Sequence, residues 1–241
     1  MQKGLESLMQ LIYPRRCPVC EQIVLPKGSL ICKECYQSLQ FIKEPCCKKC
    51  GKPIGKEETE YCYDCMTKKF HYEYGYGMLV YDQKMMRSIA SYKYKYKREY
   101  GDFYISEMLR RMGDKILRMG VDVVIPVPLH KKKLKQRGYN QAAILAKGIA
   151  EGLKLPYEEH LLKRCVNTKP QKLLNDKERF KNLEHAFELN PAGKFPYRGK
   201  KVLLIDDIYT TGSTIEVCSN VLLGMGVEKV YFASLCIGKG Y

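Results

Sequence analysis

The sequence predicts an α/β protein, a mostly parallel sheet with helices on both faces, preceded by a small cysteine-rich module. Three observations predict it. Nine of the twelve cysteines fall before residue 66, leaving only Cys165, Cys218 and Cys236 beyond it. From residue 100 onward, apolar segments of helical and of strand periodicity alternate. The 241 residues, 45% of them apolar, suffice for one large domain, or one domain with a small module, and exclude wholesale disorder. The composition step sets a boundary near residues 66–75, which divides the chain into 1–70 and 71–241.

The first element is a short amphipathic helix. Leu5, Leu8, Met9 and Ile12 recur at i, i+3, i+4 and i+7 before Pro14 ends the run. Glu6 and Gln10 interrupt its apolar stretch and no small-residue cleavage site follows, so it does not read as a signal peptide. No apolar run approaches the roughly 20 residues that span a bilayer. The expectation is a cytoplasmic protein without membrane insertion.

The cysteines then repeat one spacing. Cys17-x₂-Cys20 is followed after eleven residues by Cys32-x₂-Cys35; Cys47-x₂-Cys50 is followed after eleven by Cys62-x₂-Cys65. A CxxC turn sets two thiolates at adjacent corners of a tetrahedron, and two turns close a site with Zn–S bonds of about 2.3 Å. Disulfides are the alternative, but such pairs in a reducing cytosol more often bind metal. Iron–sulfur ligation lacks the tight C-x₂-C-x₂-C run. With all four positions taken by sulfur, both zinc ions are expected to be structural, and a module of about 50 residues needs them to fold. Sequential ligation is the preferred reading, with a cross-braced arrangement open. Cys46 competes with Cys47 as a ligand; Cys47 makes the regular CxxC, so Cys46 is the spare.

In the second part, Asp102 is expected to cap a helix with the face Ile105, Met108, Leu109, Met112, Ile116 and Met119, stopped by Gly120. Val121–Val127 reads as a buried strand and Asn140–Leu153 as a helix. Lys201–Ile205 is a strand, Thr214–Met225 a helix, and Lys229–Leu235 a last strand. Ligands of such sheets sit at the carboxyl ends of the strands.

One motif lies there. The strand Val202–Ile205 delivers Asp206 and Asp207, and the small-residue turn Thr210-Thr211-Gly212-Ser213-Thr214 opens a helix. Backbone N–H groups at a helix N-terminus make an anion pocket. Glycine at 212 permits close backbone approach, and four hydroxyls can donate to a phosphate. Paired carboxylates beside it suit vicinal hydroxyls, as in ribose 5-phosphate. A Walker-B strand is the rival, but the chain has no GxxxxGK(S/T) loop.

Lys+Arg 42 against Asp+Glu 26 gives +16, about +12 once eight thiolates hold two Zn²⁺. This balance favours polyanionic partners. Nine of the nineteen tyrosines lie between residues 72 and 104, and Tyr92, Lys93, Tyr94, Lys95, Tyr96 and Lys97 interleave aromatic rings with cations. Bases stack on rings while ammonium groups follow phosphates, which is how single strands are held. In an extended segment the tyrosines share one face and the lysines the other. A half-buried strand shows the same alternation, so packing is the competing reading.

The acid doublet and its turn resemble the 5-phosphoribosyl-1-diphosphate (PRPP) signature of type I phosphoribosyltransferases. Ile125-Pro-Val-Pro-Leu129, Arg137-Gly-Tyr-Asn-Gln141, Thr168-Lys-Pro-Gln171 with Arg179 and Asn182, Ala186-Phe187 and the cysteine-rich front together resemble the ComF family, over nearly the whole chain. The resemblance implies a double zinc ribbon fused to a type I phosphoribosyltransferase-like fold, associated with DNA uptake in natural competence. It implies that Asp206 and Asp207 hold the ribose hydroxyls, that Thr210, Thr211, Gly212, Ser213 and Thr214 wrap the 5-phosphate, and that Pro126, Val127 and Pro128 stand at the pyrophosphate. Thr168–Asn182 would be a mobile loop, and Mg²⁺ would bind with PRPP.

Any chemistry would be displacement at the anomeric carbon, eased by cations on the departing pyrophosphate. Asp206, Asp207 and Arg137 are the catalytic candidates. Arg137 leads because RGYNQ opens a helix toward the pocket; Lys131, Lys132, Lys133, Lys135 and Arg179 are further candidates, whereas His130 reads as incidental. Three functions follow: a competence factor that handles single-stranded DNA and binds a phosphoribosyl compound, a phosphoribosyltransferase acting on a base-like acceptor, or a PRPP-sensing adaptor for a competence-machinery protein. An acceptor-binding hood would have to come from residues 70–100 or the zinc module.

Overall fold

A computed structural model describes residues 14–55, 58–166, 186–190 and 196–238 of the 241. The expected helix over Leu5–Ile12, the loop Thr168–Asn182 and Arg179 lie outside the described residues.

Four strands, β1 (Gly75–Val80), β2 (Val123–Pro126), β5 (Lys201–Tyr209) and β6 (Lys229–Ile237), form one all-parallel sheet in the order β1-β6-β5-β2. Strands buried on both faces read as continuous apolar runs. Here Leu203, Ile205, Ala233 and Leu235 face one core, while Val202, Leu204, Val230 and Phe232 face the other. The first core is closed by α3 (Gln83–Tyr94), α4 (Tyr100–Arg118) and α6 (Gln141–Leu153), the second by α7 (Ser213–Gly224). Between β2 and α6 lies the short α5 (Lys131–Arg137), and β3 (Leu162–Arg164) pairs antiparallel with β4 (Phe187–Leu189). No helix among the described residues is long and apolar enough to cross a membrane.

Glycines set how closely α4 and α6 approach. A Cβ on Gly148 would stand 2.5 Å from Ile105 Cδ1, and one on Gly152 2.5 Å from Leu109 Cδ1. The two α4 residues that the sequence placed on its inward face therefore pack directly on the α6 backbone.

Several boundaries differ from expectation. Helix α4 begins before Asp102, which lies in its first turn and receives Arg15 Nη2 at 2.6 Å instead of capping. Strand β2 is shorter than Val121–Val127, pairing with β5 from Val123 to Pro126. Strand β5 runs past Ile205 through the acid doublet to Tyr209, because Asp206 stays in register with Ser234 of β6. Strand β1, the β3–β4 pair and helices α3 and α5 have no counterpart in the sequence reading.

The largest correction concerns residues 92–97. Tyr92, Lys93 and Tyr94 form the last turn of α3, Lys95 caps it, and Tyr96 turns left-handed (φ 54°) before Lys97. In a helix, consecutive residues point in different directions, so the Tyr/Lys alternation does not sort into two faces. Tyr92 is fully buried against Tyr104 and Tyr139 and presents no ring to a base.

The two halves of the cysteine module repeat one geometry. Glu21 (φ 62°) and Gly51 (φ 73°), each directly after the second cysteine of a CxxC, adopt left-handed conformations. Cys17 N and Cys47 N donate to Gln22 O and Lys52 O, both at 2.8 Å. Helices α1 (Lys33–Gln37) and α2 (Tyr63–Thr67) start directly after Cys32 and Cys62. Between the halves, Ile42 N donates to Met78 O (2.9 Å) and Val80 N to Gln40 O (2.8 Å). The linker thereby covers the outer edge of β1, a row of backbone groups that would otherwise be open to another chain.

Candidate metal centres and ligand cleft

The thiolates converge in two sequential sets, Cys17/Cys20/Cys32/Cys35 and Cys47/Cys50/Cys62/Cys65, each with its sulfurs within 4.8 Å of one another. Cys20 and Cys32 sulfurs are 3.9 Å apart, and those of Cys50 and Cys62 3.6 Å. Sulfur atoms bound to one tetrahedral Zn²⁺ stand about 3.8 Å apart, whereas a disulfide needs about 2.05 Å. The donor set therefore fits zinc, with no position left for substrate, and the cross-braced alternative falls away. Cys46 stays outside: its thiol donates to Lys43 O at 3.1 Å, and burial followed by the Glu44 charge pushes it up to about 11.

The second centre of interest is a cleft of about 280 Å³ at the carboxyl ends of β2 and β5. Asp206, Asp207, Thr210 and Thr214 line one wall, Val127 and Pro128 another, with Arg137 between. Asp206, Thr210 and Thr214 also line the small hollow formed with Thr211, Gly212 and Ser213, which adjoins the cleft; Asp207 lines the cleft alone. Gly212 (φ 82°) is the N-cap of α7, whose first turn leaves backbone N–H groups without intrahelical partners. Thr211 Oγ1 and Ser213 Oγ lie 3.0 Å apart at that end. Pro126 does not reach the cleft; it is buried in β2 opposite Ile205.

The cleft sets an acidic pair against several cations. Asp206 Oδ1 accepts from Asp207 N at 2.8 Å. Burial, then the neighbouring Asp207 charge, pushes the Asp206 carboxyl up to about 7. Asp207 Oδ1 instead receives Lys93 Nζ at 2.7 Å, in an ion pair largely withdrawn from solvent. Opposite stand Lys133, Arg137 and Arg164. Burial, then the Arg164 and Arg137 charges, lowers Lys133 to about 8, and burial lowers Arg164 as well. Four cations gathered against two carboxylates leave an excess of positive charge that an anionic ligand would neutralise.

Arg137 is the best placed of these. It is buried, its Nη1 donates to Gln141 Oε1 (3.0 Å) and its Nη2 to Tyr94 Oη (3.0 Å), and its guanidinium lies 4.8 Å from the Tyr94 ring centre. Its Nε has no hydrogen-bond partner among the described residues. A buried donor left open is costly, and its presence on a cleft wall points to a ligand acceptor. Asn140 supports that wall: its side chain accepts from Ala142 N (3.1 Å), capping α6, and donates to Val127 O (3.0 Å).

The sequence reading missed Tyr81, Tyr94 and Arg164 as cleft residues and missed the pairing of Lys93 with Asp207. Lys93 comes from 114 positions earlier in the chain, so no local spacing announces it. The remaining candidates of the Tyr/Lys stretch scatter. Tyr94 and Tyr96 are 57% and 66% exposed, Lys95 Nζ binds Glu21 (3.0 Å), and Lys97 pairs with Glu99 (3.6 Å).

Comparison with known proteins matches both parts of the chain. Residues 8–66 match the double zinc ribbon domain and residues 140–240 the phosphoribosyl transferase domain. Competence protein F of Haemophilus influenzae is 30% identical over 231 residues, covering 92% of this chain and 96% of that one. DNA utilization protein YhgH of Escherichia coli K12 is 25% identical, covering 94% and 98% of the two chains. Competence protein ComFC of Bacillus subtilis is 26% identical, covering 84% and 82%. Two structural Cys₄ zinc sites ahead of a parallel sheet that ends in an acid doublet and a threonine bend, carried by a sequence alike over its length, place this chain in the ComF family.

Proposed function

We propose that the cleft binds a 5-phosphorylated ribose diphosphate of the PRPP type with Mg²⁺, and that the protein acts in DNA uptake during natural competence by handling single-stranded DNA. The observation that carries the ligand reading is that Asp206, Thr210 and Thr214 line both the cleft they share with Asp207 and the hollow of the Thr210–Thr214 bend. The carboxylates accept from ribose hydroxyls, and the bend's hydroxyls and N–H groups hold the 5-phosphate. Arg137 and Lys133, with the Val127–Pro128 loop, face the diphosphate. Mg²⁺, when bound, neutralises diphosphate charge; Lys93 leaves Asp207 for the diphosphate as the sugar enters.

The competence role is supported by the names of the relatives, one of which reads DNA utilization. The single-strand reading is supported by the basic balance and by two exposed aromatics, Tyr94 on the cleft and Tyr96 against the end of α5. Tyr94 and Tyr96 stand beside Arg98 and α5, whose Lys131, Lys132 and Lys135 are solvent-facing. Transfer of the phosphoribosyl group to a base-like acceptor is a second reading. It is favoured by the open Arg137 Nε, placed to stabilise departing negative charge.

Calorimetric titration with PRPP and Mg²⁺, on the parent and on Asp206→Asn/Asp207→Asn, tests the ligand reading; no heat from the parent refutes it. Single-strand binding across salt concentrations tests the DNA reading, with log affinity expected to fall against log salt.

A further inference from the structure

The zinc ribbons are joined to the cleft by two separate sets of contacts, one to the wall formed by the end of α3 that carries Lys93 and one to the wall formed by the threonine bend. The first ribbon grips α3. Pro18 O, inside the first CxxC, accepts from Ser88 Oγ. Glu21, held left-handed directly after Cys20, accepts from Ser91 Oγ at 2.5 Å and from Lys95 Nζ at 3.0 Å. Between Ser91 and Lys95 lies Lys93, whose ammonium reaches Asp207. The second ribbon backs the threonine bend. Lys52, 4% exposed, binds Asp64 at 2.6 Å and lies 5.9 Å from the Tyr209 ring centre. Tyr72 Oη and Tyr209 Oη share a buried hydrogen bond of 2.7 Å. Tyr209 in turn fills the space under the bend, since a Cβ on Gly212 would stand 2.5 Å from its Oη and 3.1 Å from Phe70. Cys47, Cys50 and Cys62 belong to the same apolar cluster as Tyr72, Tyr209 and Phe232.

We propose that Glu21 and Tyr72 are positioning residues for the cleft, Glu21 acting through the end of α3 on Lys93 and Tyr72 acting through Tyr209 on the threonine bend, so that zinc retention and anion binding are coupled. The physical reason is that both segments lie where an element ends: the buried face of α3 stops at Tyr92, and Lys93 and Lys95 continue past it, while the bend leaves β5 after Tyr209. The Ser91–Lys95 segment is the last turn of a helix, where the final carbonyls lack intrahelical donors and the ends fray. The bend carries the left-handed Gly212 and turns out of β5 toward α7. Each therefore depends on the ribbon against it for the contacts its own element does not supply. A ribbon without metal loses the chain path that holds Glu21 or Lys52 in place. By linkage, a ligand that requires ordered walls must favour the metal-loaded ribbons by the same factor.

The PRPP arm of the test rests on the ligand reading above; the exchange arm does not. Hydrogen exchange of the full chain is followed by mass spectrometry for the parent, Glu21→Gln and Tyr72→Phe, with zinc content measured on each. Glu21→Gln should raise exchange over residues 91–95 and Tyr72→Phe over 209–213. Each should leave the opposite wall and the β5 core protected and retain two zinc equivalents. Removing zinc from the parent with a chelator should raise exchange at both walls, and alkylation of each cysteine set identifies which ribbon has opened. In calorimetry with PRPP and Mg²⁺, each variant should lose roughly tenfold in affinity, and PRPP should raise the chelator concentration needed for half removal of zinc. Unchanged exchange at both walls in the variants and after zinc removal overturns the proposal. PRPP heat with unchanged zinc retention overturns it too, whereas absent heat refutes the ligand reading and leaves the exchange arm to decide the coupling.

Discussion

Asp206→Asn should make the ligand-free protein more stable, and the gain should grow with pH. The carboxyl is lifted from an ordinary value of 3.8 to about 7, first by burial and then by the Asp207 charge. In the unfolded chain it titrates near its ordinary value. Between the two, the native state holds one proton more than the unfolded state. Stability therefore falls as pH rises through that window and levels off above about 7, where both states are ionised. Each unit of separation corresponds to about 1.36 kcal/mol, so the full window is worth about 4 kcal/mol as a ceiling. Thiolate–zinc bonds weaken in acid, so the practical comparison is pH 5.5 against pH 8. About one and a half units of the window lie between them, or about 2 kcal/mol. Asparagine keeps the shape and the oxygen that accepts from Asp207 N, and carries no charge to desolvate. Urea unfolding of parent and variant at both pH values, with zinc present, gives four stabilities. The variant's advantage should be about 2 kcal/mol greater at pH 8. An advantage equal at the two pH values, or a variant less stable at pH 8, would refute the account of Asp206 as an acid whose charged form its surroundings disfavour. Gain of stability with loss of ligand binding is what a group retained for binding predicts.

Other substitutions test separate parts of the structure. Gly148→Ala should destabilise by about 1–3 kcal/mol through overpacking against Ile105, and Ile105→Ala in the same chain should relieve part of the cost, as read by thermal unfolding. Cys46→Ser should leave two zinc equivalents by metal analysis and Cys47→Ser only one, because only Cys47 belongs to a converging set. Tyr94→Ala should weaken single-strand binding by about 1–3 kcal/mol if its exposed ring stacks on a base. Tyr92→Phe, inside the core, should leave that affinity unchanged. Anion affinity in the cleft should decline as pH rises through about 8, where Lys133 gives up its proton.

What was legible in the sequence is what neighbouring residues determine. Zinc ligands announce themselves because each pair is fixed by one tight turn, and the eleven-residue interval recurs. The acid doublet and its bend are legible for the same reason: strand, turn and helix start lie within thirteen residues of Val202. Helix α6 was readable because Asn140 is its cap and its apolar period is regular. Strand β1 was not, since Gly75 and Gly77 have no strand propensity of their own. They are glycine because Phe232 and Ile237 of β6 occupy the space a Cβ would take, a fact written in the far end of the chain.

The Tyr/Lys stretch shows the limit most clearly. Alternation at period two argued for an extended segment, and nothing local contradicted it, because tyrosine and lysine tolerate either conformation. The deciding residues lie elsewhere. Asp82 caps α3 from eleven positions upstream of Lys93 by accepting from Met85 N, and Met85, Ile89 and Tyr92 then follow one buried helical face. That face fixes the rotation of the helix, and the rotation carries Lys93 to Asp207 while turning Tyr94 outward over Arg137. A surface ladder for nucleic acid would have kept all three lysines in solvent. The helix instead spends one of them on the acid doublet, which ties the stretch to the cleft's chemistry and confines any role in strand binding to Tyr94, Tyr96 and the cations beside them.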